Sequence, residues 1–329
     1  MNILISCPGM MFETVNILKN EFAMAGFGTI AAGNSHQIAG LYAADRAYVV
    51  PSVSEPEYIP ALLKICRQED VKAILTFLDR DILRLAEAAA EFRDIGVEPM
   101  VVNLAAAKIC DNKLSMFEFL SERGFKCAHT VSSLQEFQAE LDRGLIGFPV
   151  FVKPVVGDGS RGTMKCCNIH DVALAWRDCP DMLIQEYLDG PEYDIDLYVD
   201  TISKRMVSVF AKEKLVKVIG GTATGLSMRD QALFDLVDKL AQELGLTGAL
   251  NIEVFNVAGE YYIGEVNPRF GATYIGAYAC GINFAPLIIN NIEGRENLPQ
   301  PSDYSSGICM MKYPQVLKVT AANISFGSI

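Results

Sequence analysis

The sequence predicts an α/β fold, with an N-terminal parallel sheet followed by two subdomains built on antiparallel sheets. In the first hundred residues, short apolar strands alternate with amphipathic helices, a pattern typical of a parallel sheet with covering helices. Later strands come in pairs joined by short turns that contain glycine, which is typical of antiparallel hairpins. The length of 329 residues suits two or three subdomains, each with its own apolar core.

The N-terminal region, residues 1–105, is predicted to contain four strands and three helices. The strands are expected at residues 2–6, 47–50, 72–77 and 99–102, and the helices at residues 11–25, 56–68 and 82–92. The turn after the first strand has one glycine and lacks G-x-G-x-x-G, so NAD or FAD is not indicated. Asp79 and Asp81 follow a predicted parallel strand, where open sheets place ligand groups. Capping of the next helix explains these two carboxylates equally well.

Two further subdomains are predicted at residues 106–190 and 191–329. The first has helices at 112–123 and 134–142 and strands at 148–154, 164–168 and 182–188. The second has strands at 193–199, 205–212, 249–256, 261–266 and 308–313 and a helix at 230–244. Residues 220–225, rich in glycine and threonine, are interpreted as a second mobile loop or a plain linker. Residues 270–292 lack charge, but their glycines, asparagine and proline favour two short buried helices over a membrane span.

Composition limits the classes of partner. The chain has 40 acidic and 28 basic residues, a net charge of −12, which repels nucleic acid and anionic membranes. The nine cysteines are scattered without a C-x-x-C pair, so free thiols in a reducing cytoplasm are expected. The N-terminal residues show no secretory signal. We therefore expect a cytoplasmic protein that acts on small molecules.

A glycine-rich turn follows Lys153 in the predicted hairpin. Gly157, Gly159 and Gly162 lack side chains that would keep backbone N–H groups from a phosphate, and Ser160 adds a donor. Lys153 lies on the strand leading into the turn, where its ammonium could neutralise phosphate oxygens. A mobile surface turn is the competing interpretation, and the segment is not a Walker A loop.

The next strand ends with Glu186, Tyr187 and Leu188, followed by Glu192. The backbone of such a strand end can pair with an adenine edge, and Glu192 can accept hydrogen bonds from ribose hydroxyls. The competing interpretation is an ordinary strand and turn with no role in binding.

The strongest local pattern is a set of oxygen ligands on two paired strands. Glu265 and Asn267 are two residues apart and so face the same side, while Glu253 lies on the antiparallel partner strand. Two carboxylates and an amide oxygen suit magnesium bridging ATP phosphates. Arg269 could then clamp the transferring phosphoryl group. A solvated polar face is the competing interpretation.

The order of these segments, beginning with Asp111, Asn112 and Lys113, resembles the ATP-grasp superfamily, and within it a single module of the carbamoyl-phosphate synthase large chain. The resemblance covers nearly the whole chain and implies a pre-ATP-grasp domain followed by two lobes that clasp ATP between antiparallel sheets. It places the following groups around ATP: Lys113, Lys153 and Lys212 at the phosphates, residues 157–162 as a lid, Glu186, Tyr187 and Leu188 at adenine, Glu192 at ribose, Glu253, Glu265 and Asn267 at the metal, and Arg269 at the reacting phosphoryl group.

The resemblance implies a magnesium- and ATP-dependent carboxylate–amine ligase that forms an acylphosphate, with Mn²⁺ as the alternative metal. The synthase large chain has two modules and works with a glutaminase, whereas this chain has one module. At position 253 this chain has glutamate where the synthase module has an amide. In this respect the chain is closer to the peptide-ligase branch of the superfamily. Two alternatives remain: a subunit that phosphorylates bicarbonate or carbamate with a partner chain, and a nucleotide-binding module without turnover. A homodimer or a partner synthase subunit is expected as the assembly.

Overall fold

The computed structural model describes residues 1–157, 162–177, 181–218, 221–300 and 303–319. Within them the strands form three sheets: one parallel sheet of five strands, one antiparallel sheet of four and one antiparallel sheet of six. The predicted fold class is therefore confirmed. The division of the chain at residues 105 and 190 stays a prediction.

The parallel sheet has the strand order β3-β2-β1-β4-β5 and is covered by helices. Its strands are β1 (Asn2–Ser6), β2 (Gly28–Gly33), β3 (Arg46–Val49), β4 (Val71–Thr76) and β5 (Glu98–Pro99). Its helices are α1 (Phe12–Met24), α2 (Tyr58–Gln68), α3 (Asp79–Glu87) and α4 (Ala89–Asp94), with a short 3₁₀ helix at Ala39–Ala43. The chain runs from β1 to β2 on one side and later to β4 on the other, so the strand order reverses at β1.

The four-stranded sheet has the order β6-β9-β7-β8, with every described pair antiparallel. Its strands are β6 (Thr130–Val131), β7 (Val150–Pro154), β8 (Met164–Cys166) and β9 (Met182–Glu186). The helices in this part of the chain are α5 (Leu104–Asp111), α6 (Lys113–Glu122), α7 (Leu134–Asp142) and α8 (Ile169–Arg177). Of these, α7 and α8 pack on the sheet, whereas α5 packs against α3 and α6. Helix α6 begins at Lys113 because the Asn112 side chain accepts hydrogen bonds from the amides of Leu114 and Ser115.

The six-stranded sheet has the order β14-β13-β10-β11-β12-β15, again antiparallel. Its strands are β10 (Glu192–Val199), β11 (Met206–Val218), β12 (Gly221–Met228), β13 (Gly248–Val257), β14 (Glu260–Asn267) and β15 (Cys309–Met311). Helix α9 (Gln231–Leu244) is capped at its start by the Asp230 carboxylate and ends at Gly245, whose φ of 66° favours glycine. Phe77 and Phe270, with ring centroids 5.4 Å apart, pack the parallel sheet domain against this subdomain.

Two expectations about the third subdomain have different outcomes. Residues 270–292 form the short helices α10 (Tyr274–Ala279) and α11 (Ala285–Ile292), as predicted, and in the described ranges no helix is long and apolar enough to cross a membrane. The expected loop or linker at 220–225 is wrong, because Gly221–Met228 is strand β12, paired with β11 along its length. Gly225 fits there because its missing side chain leaves room for Lys212, whose Cδ lies 3.3 Å from the position of a Cβ.

Candidate functional site

Two clefts that share lining residues lie against the six-stranded sheet, one facing the four-stranded sheet and the other facing helices α3 and α5. We call the cavity of about 460 Å³ beside β7 and β9 the outer cleft, and the cavity of about 230 Å³ beside Arg269 and Asn267 the inner cleft. Lys113, Glu253 and Glu265 line both, so the two clefts are continuous. Most of the residues predicted to act on a nucleotide meet here.

Lys113 and Lys153 reach the clefts from different elements. Lys113 is the first residue of α6, and its Nζ lies 2.6 Å from the Gly157 carbonyl oxygen and 3.4 Å from Glu265 Oε1. Lys153 lies on β7 and donates to Gln185 Oε1 at 2.6 Å. Burial lowers the pKa of Lys153 to about 8. An anion entering the cleft would favour the protonated form of this amine.

Glu253 and Glu265 are direct partners across β13 and β14, so their carboxylates share one face. Burial, together with the neighbouring Glu265, raises the pKa of Glu253 to about 7. Lys214 Nζ lies 2.7 Å from Glu253 Oε1 and offsets part of this charge. The pair presents hard oxygen donors whose negative charges a bound cation would stabilise.

Asn267 and Arg269 lie at the end of β14, facing the parallel sheet domain. Arg269 donates from Nε and Nη2 to Asp79 Oδ2, at 3.1 and 2.9 Å, and from Nη2 to Asn267 Oδ1 at 3.1 Å. Asp79 opens α3, 190 residues earlier in the chain. This ion pair fixes the guanidinium beside the inner cleft. From the sequence, Asp79 could be either a ligand group or a helix cap. In the structure it accepts hydrogen bonds from Arg269, a residue far along the chain.

The strand-end residues expected at adenine line the outer cleft. Glu186, Tyr187 and Leu188 follow one another there, and the Tyr187 ring packs on Phe151 with centroids 5.4 Å apart. Glu192 lines both clefts, and its carboxylate is paired with Lys214 and Lys217. Gly157 lines both clefts, Gly162 lines neither, and Gly159 and Ser160 lie outside the described residues.

Lys212 is not placed as the sequence suggested. Its side chain is 2% exposed, and its Nζ lies 3.1 Å from Asp194 Oδ2 and 2.7 Å from Asp196 Oδ2. Asn251 also donates to both aspartates. The expected contact with phosphate is corrected on this geometry, because the ammonium is committed to a buried ion cluster below the cleft.

Replacing Lys212 with methionine should destabilise the protein by about 3–5 kcal/mol, because it leaves two buried carboxylates without their counter-charge. Urea unfolding at pH 7 measures this loss. Lys217→Met on the same strand is the control and should cost less than about 1 kcal/mol, since Lys217 is 53% exposed. Equal stability of the two variants would contradict a structural role for Lys212.

Two cations of β11 do line the clefts, Lys217 at both and Lys214 at the inner cleft, and neither was predicted from the sequence. Lys214 is the more buried of the two. It lies two residues beyond Lys212 on the same face of β11, lines the inner cleft and contacts both Glu192 and Glu253. The only sequence signal was the alternation of Lys212 and Lys214. Burial favours the neutral form of Lys214, but the carboxylates of Glu253, Asp194 and Glu192 raise its pKa above the ordinary range.

Within the described ranges, no group of three or more histidine, cysteine, aspartate or glutamate side chains is arranged to hold a metal. The Glu253 and Glu265 pair is therefore an open donor set. Such a set suits a cation that keeps waters and phosphate oxygens among its ligands, as magnesium does.

Two protein-family models match parts of the chain. Residues 3–101 match the model described as PylC-like, N-terminal domain, and residues 178–314 match the model described as ATP-grasp in the biosynthetic pathway with Ter operon. Residues 178–314 thus match an ATP-grasp family, and the α/β domain that precedes them in the chain matches a different family model. Within the ATP-grasp superfamily the chain resembles a single module of the carbamoyl-phosphate synthase large chain.

Among similar proteins, the arginine-specific large chain of carbamoyl phosphate synthase from Bacillus subtilis is 23% identical over 82% of this chain and 27% of its own length. D-alanine–D-alanine ligase B of Pseudomonas putida is 26% identical over 44% of this chain and 51% of its own length. This chain thus spans about a quarter of the synthase and about half of the ligase.

A solved structure with the same fold is the biotin carboxylase domain dimer of Hydrogenobacter thermophilus 2-oxoglutarate carboxylase, in complex with MgADP, ADP and bicarbonate. It has a TM-score of 0.74 and 17% identity, and the match covers 94% of this chain and 73% of that one. The fold shared with this structure thus covers nearly the whole chain.

Proposed function

We propose that this chain is an ATP-dependent ligase that joins a carboxylate to an amine through an acylphosphate. The observation that carries the proposal is one continuous pair of clefts in which Lys113 and Lys153 stand beside the Glu253 and Glu265 carboxylates. Ammonium groups for phosphates next to carboxylates for a metal are what phosphoryl transfer from metal-bound ATP requires. The names of the similar carboxylating and ligating enzymes support the same class of reaction.

In this proposal ATP lies along both clefts. The adenosine occupies the outer cleft, with Glu186, Tyr187 and Leu188 at adenine and Glu192 at the ribose. The phosphates extend past Lys153 and Lys113 into the inner cleft. The two cations neutralise the phosphate oxygens from two different elements, helix α6 and strand β7.

The donor set fits a magnesium ion, held by Glu253, Glu265 and Asn267, with Mn²⁺ as the alternative. Glu253 and Glu265 are cross-strand neighbours whose mutual repulsion a cation would relieve. When bound, the ion would neutralise charge on the ATP phosphates.

The proposed chemistry has two balanced steps. A carboxylate oxygen of the substrate bonds to the γ-phosphorus while the bond to the β,γ-bridging oxygen breaks and ADP leaves. The amine nitrogen then bonds to the acyl carbon, the acyl C–O bond breaks and phosphate leaves. Of the two protons that an ammonium substrate gives up, one departs on hydrogen phosphate and one goes to solvent. Arg269 stabilises the charge on the transferring phosphoryl group.

Positioning and charge neutralisation supply the catalysis in this scheme, since little covalent work falls to the protein. In the described ranges none of the three histidines lines either cleft. His129, for example, is bonded through Nε2 to Glu140 at 2.6 Å. This arrangement disfavours a histidine-based nucleophilic mechanism.

A phosphate-release screen over carboxylates, amines and bicarbonate with Mg-ATP tests the proposal. A ligase releases phosphate only when a carboxylate and an amine are both present. Release of phosphate with bicarbonate alone would instead indicate a synthase-like subunit. This is the second candidate because the chain matches about a quarter of the synthase large chain. Binding of Mg-ADP without release under any condition would leave only a nucleotide-binding module.

The pH dependence of nucleotide binding should report on Lys153. Its ammonium form predominates below pH 8 in the free protein and is the form that binds phosphate, so affinity should fall as pH rises. For ADP measured by calorimetry, we expect a loss of about tenfold between pH 7 and pH 9.

The matched variant for this experiment is Lys153→Arg, which stays charged over the whole range. Its affinity should change by less than about twofold over the same pH interval. If wild type and variant lose affinity in parallel, Lys153 does not bind the phosphates.

A further inference from the structure

A third cavity, of about 960 Å³, lies at the carboxyl ends of the parallel strands. Cys7 after β1, Gly33 at the end of β2 and Leu78 after β4 line it. We call it the N-terminal cavity. It lies where the strand order reverses, the place at which open α/β sheets bind ligands.

Two arginines of α3 line this cavity. Arg80 and Arg84 are four residues apart, hence on the same face of the helix, and both border the space. Across the described residues, neither guanidinium forms a salt bridge, and Arg84 Nε is buried without a hydrogen-bond partner. A buried donor left unpaired costs about 1–3 kcal/mol, and an anion entering the cavity would relieve that cost.

The N-terminal cavity opens to the inner cleft. Arg80, Asp111 and Gly157 line both, so a molecule in the cavity can extend one end to the site of phosphoryl transfer. At that junction Asp111 supplies a carboxylate and Arg80 a guanidinium, whereas Arg84 lies further along α3 and lines the N-terminal cavity alone. The cavity therefore offers a carboxylate at the junction and two guanidinium groups that run from the junction along α3.

We propose that the N-terminal cavity binds the amine substrate, and that this substrate carries a carboxylate or phosphate group held by Arg84 and Arg80, with its ammonium group beside Asp111. The assignment of the bound molecule as the amine substrate rests on the ligase function proposed above. The binding of a small zwitterion does not depend on that function. Arginine suits the anionic end because its planar fork matches carboxylate and phosphate oxygens.

Calorimetry with the whole protein and Mg-ADP tests the inference. The probes are the twenty common amino acids, O-phosphoethanolamine for a phosphate group, and ethanolamine and isobutylamine as amines without an anion. We expect at least one zwitterion to bind and the two plain amines not to bind. The amino-acid and phosphate arms identify the anionic group.

Arg84→Gln should weaken binding of the active zwitterion by about tenfold or more, and Arg84→Lys should fall between that variant and wild type. Arg67→Gln, on the exposed surface of α2 in the same domain, is the control and should bind as wild type does. Mg-ADP affinity checks that each variant is folded.

The inference is overturned if no zwitterion binds, if plain amines bind equally well, or if Arg84→Gln matches the Arg67→Gln control. The ligase proposal is judged separately by phosphate release with the bound zwitterion and the carboxylate panel. Zwitterion binding lost in Arg84→Gln, with no phosphate release for any pair, would overturn the ligase and leave the binding site standing.

Discussion

Glu265→Gln should reduce ATP turnover by about 100-fold or more while leaving the fold intact. The variant removes one of the two carboxylates that face each other across β13 and β14, and a metal contributes several kcal/mol to phosphoryl transfer. The free energy of unfolding should not fall by more than about 0.5 kcal/mol, because the Glu265 side chain is 41% exposed and its negative charge repels that of Glu253. Phosphate release and thermal unfolding measure the two effects.

Glu260→Gln is the matched control, since Glu260 begins the same strand but is paired with Lys126 away from the clefts. It should turn over ATP at the wild-type rate. Magnesium titrations of nucleotide binding complete the test. If Glu265→Gln binds Mg-ADP as tightly as the control does, the carboxylate is not a metal ligand.

Arg269→Lys should lower kcat by roughly 100- to 1,000-fold, the range found when a donor to transition-state charge is removed. The guanidinium donates to Asp79, to Asn267 and to the Phe270 carbonyl, and a lysine ammonium cannot keep this planar set. Because Arg269 is proposed to act on the transferring phosphoryl group, Mg-ADP affinity should change by less than about threefold.

Arg295→Lys serves as the control because Arg295 is 59% exposed and pairs with Glu293 outside the clefts. Steady-state kinetics of both variants with the substrate pair from the screen give the comparison. A kcat of Arg269→Lys within about threefold of the control value would falsify the catalytic assignment.

Some elements were readable from sequence because local chemistry and tertiary structure agree. Helix α9 has a capping aspartate, an apolar stripe and a terminal glycine, and the structure begins and ends it within one residue of the prediction. The opposition of Glu253 and Glu265 followed from a two-residue alternation and the short turn at Ala258 and Gly259. Both signals are contained within a few residues.

Other elements depend on distant neighbours and were missed. Strand β2 reads Gly-Thr-Ile-Ala-Ala-Gly, a poor strand former by propensity, but it is held between β1 and β3 at the buried centre of one side of the sheet. Strand β12 looked like a loop because glycine and threonine dominate it, and its pairing with β11 decides otherwise. Helix α5, capped by Asn103, was not predicted, because no element was assigned between residues 102 and 112.

The candidate site likewise contains residues that the sequence predicted and residues that it did not. Lys153 and the oxygen donors were predicted from local patterns and Lys113 from the family resemblance, and the structure brings them to the clefts. The sequence did not distinguish Lys212 from Lys214. Both are buried on the same side of β11, but Lys212 pairs with Asp194 and Asp196, whereas Lys214 pairs with Glu192 and Glu253 and lines the inner cleft. Cross-strand partners of this kind leave no mark in the local sequence.

The Asp79–Arg269 ion pair sets a rule for building chimeras. Exchanging the first domain for that of another ATP-grasp protein would transplant α3, and with it whatever residue stands at position 79. A graft with a neutral residue there would leave the Arg269 guanidinium buried beside the inner cleft without its carboxylate. A hybrid built by exchanging the first domain therefore needs an aspartate at position 79 to pair with Arg269. Keeping that aspartate is the first choice in designing such a hybrid.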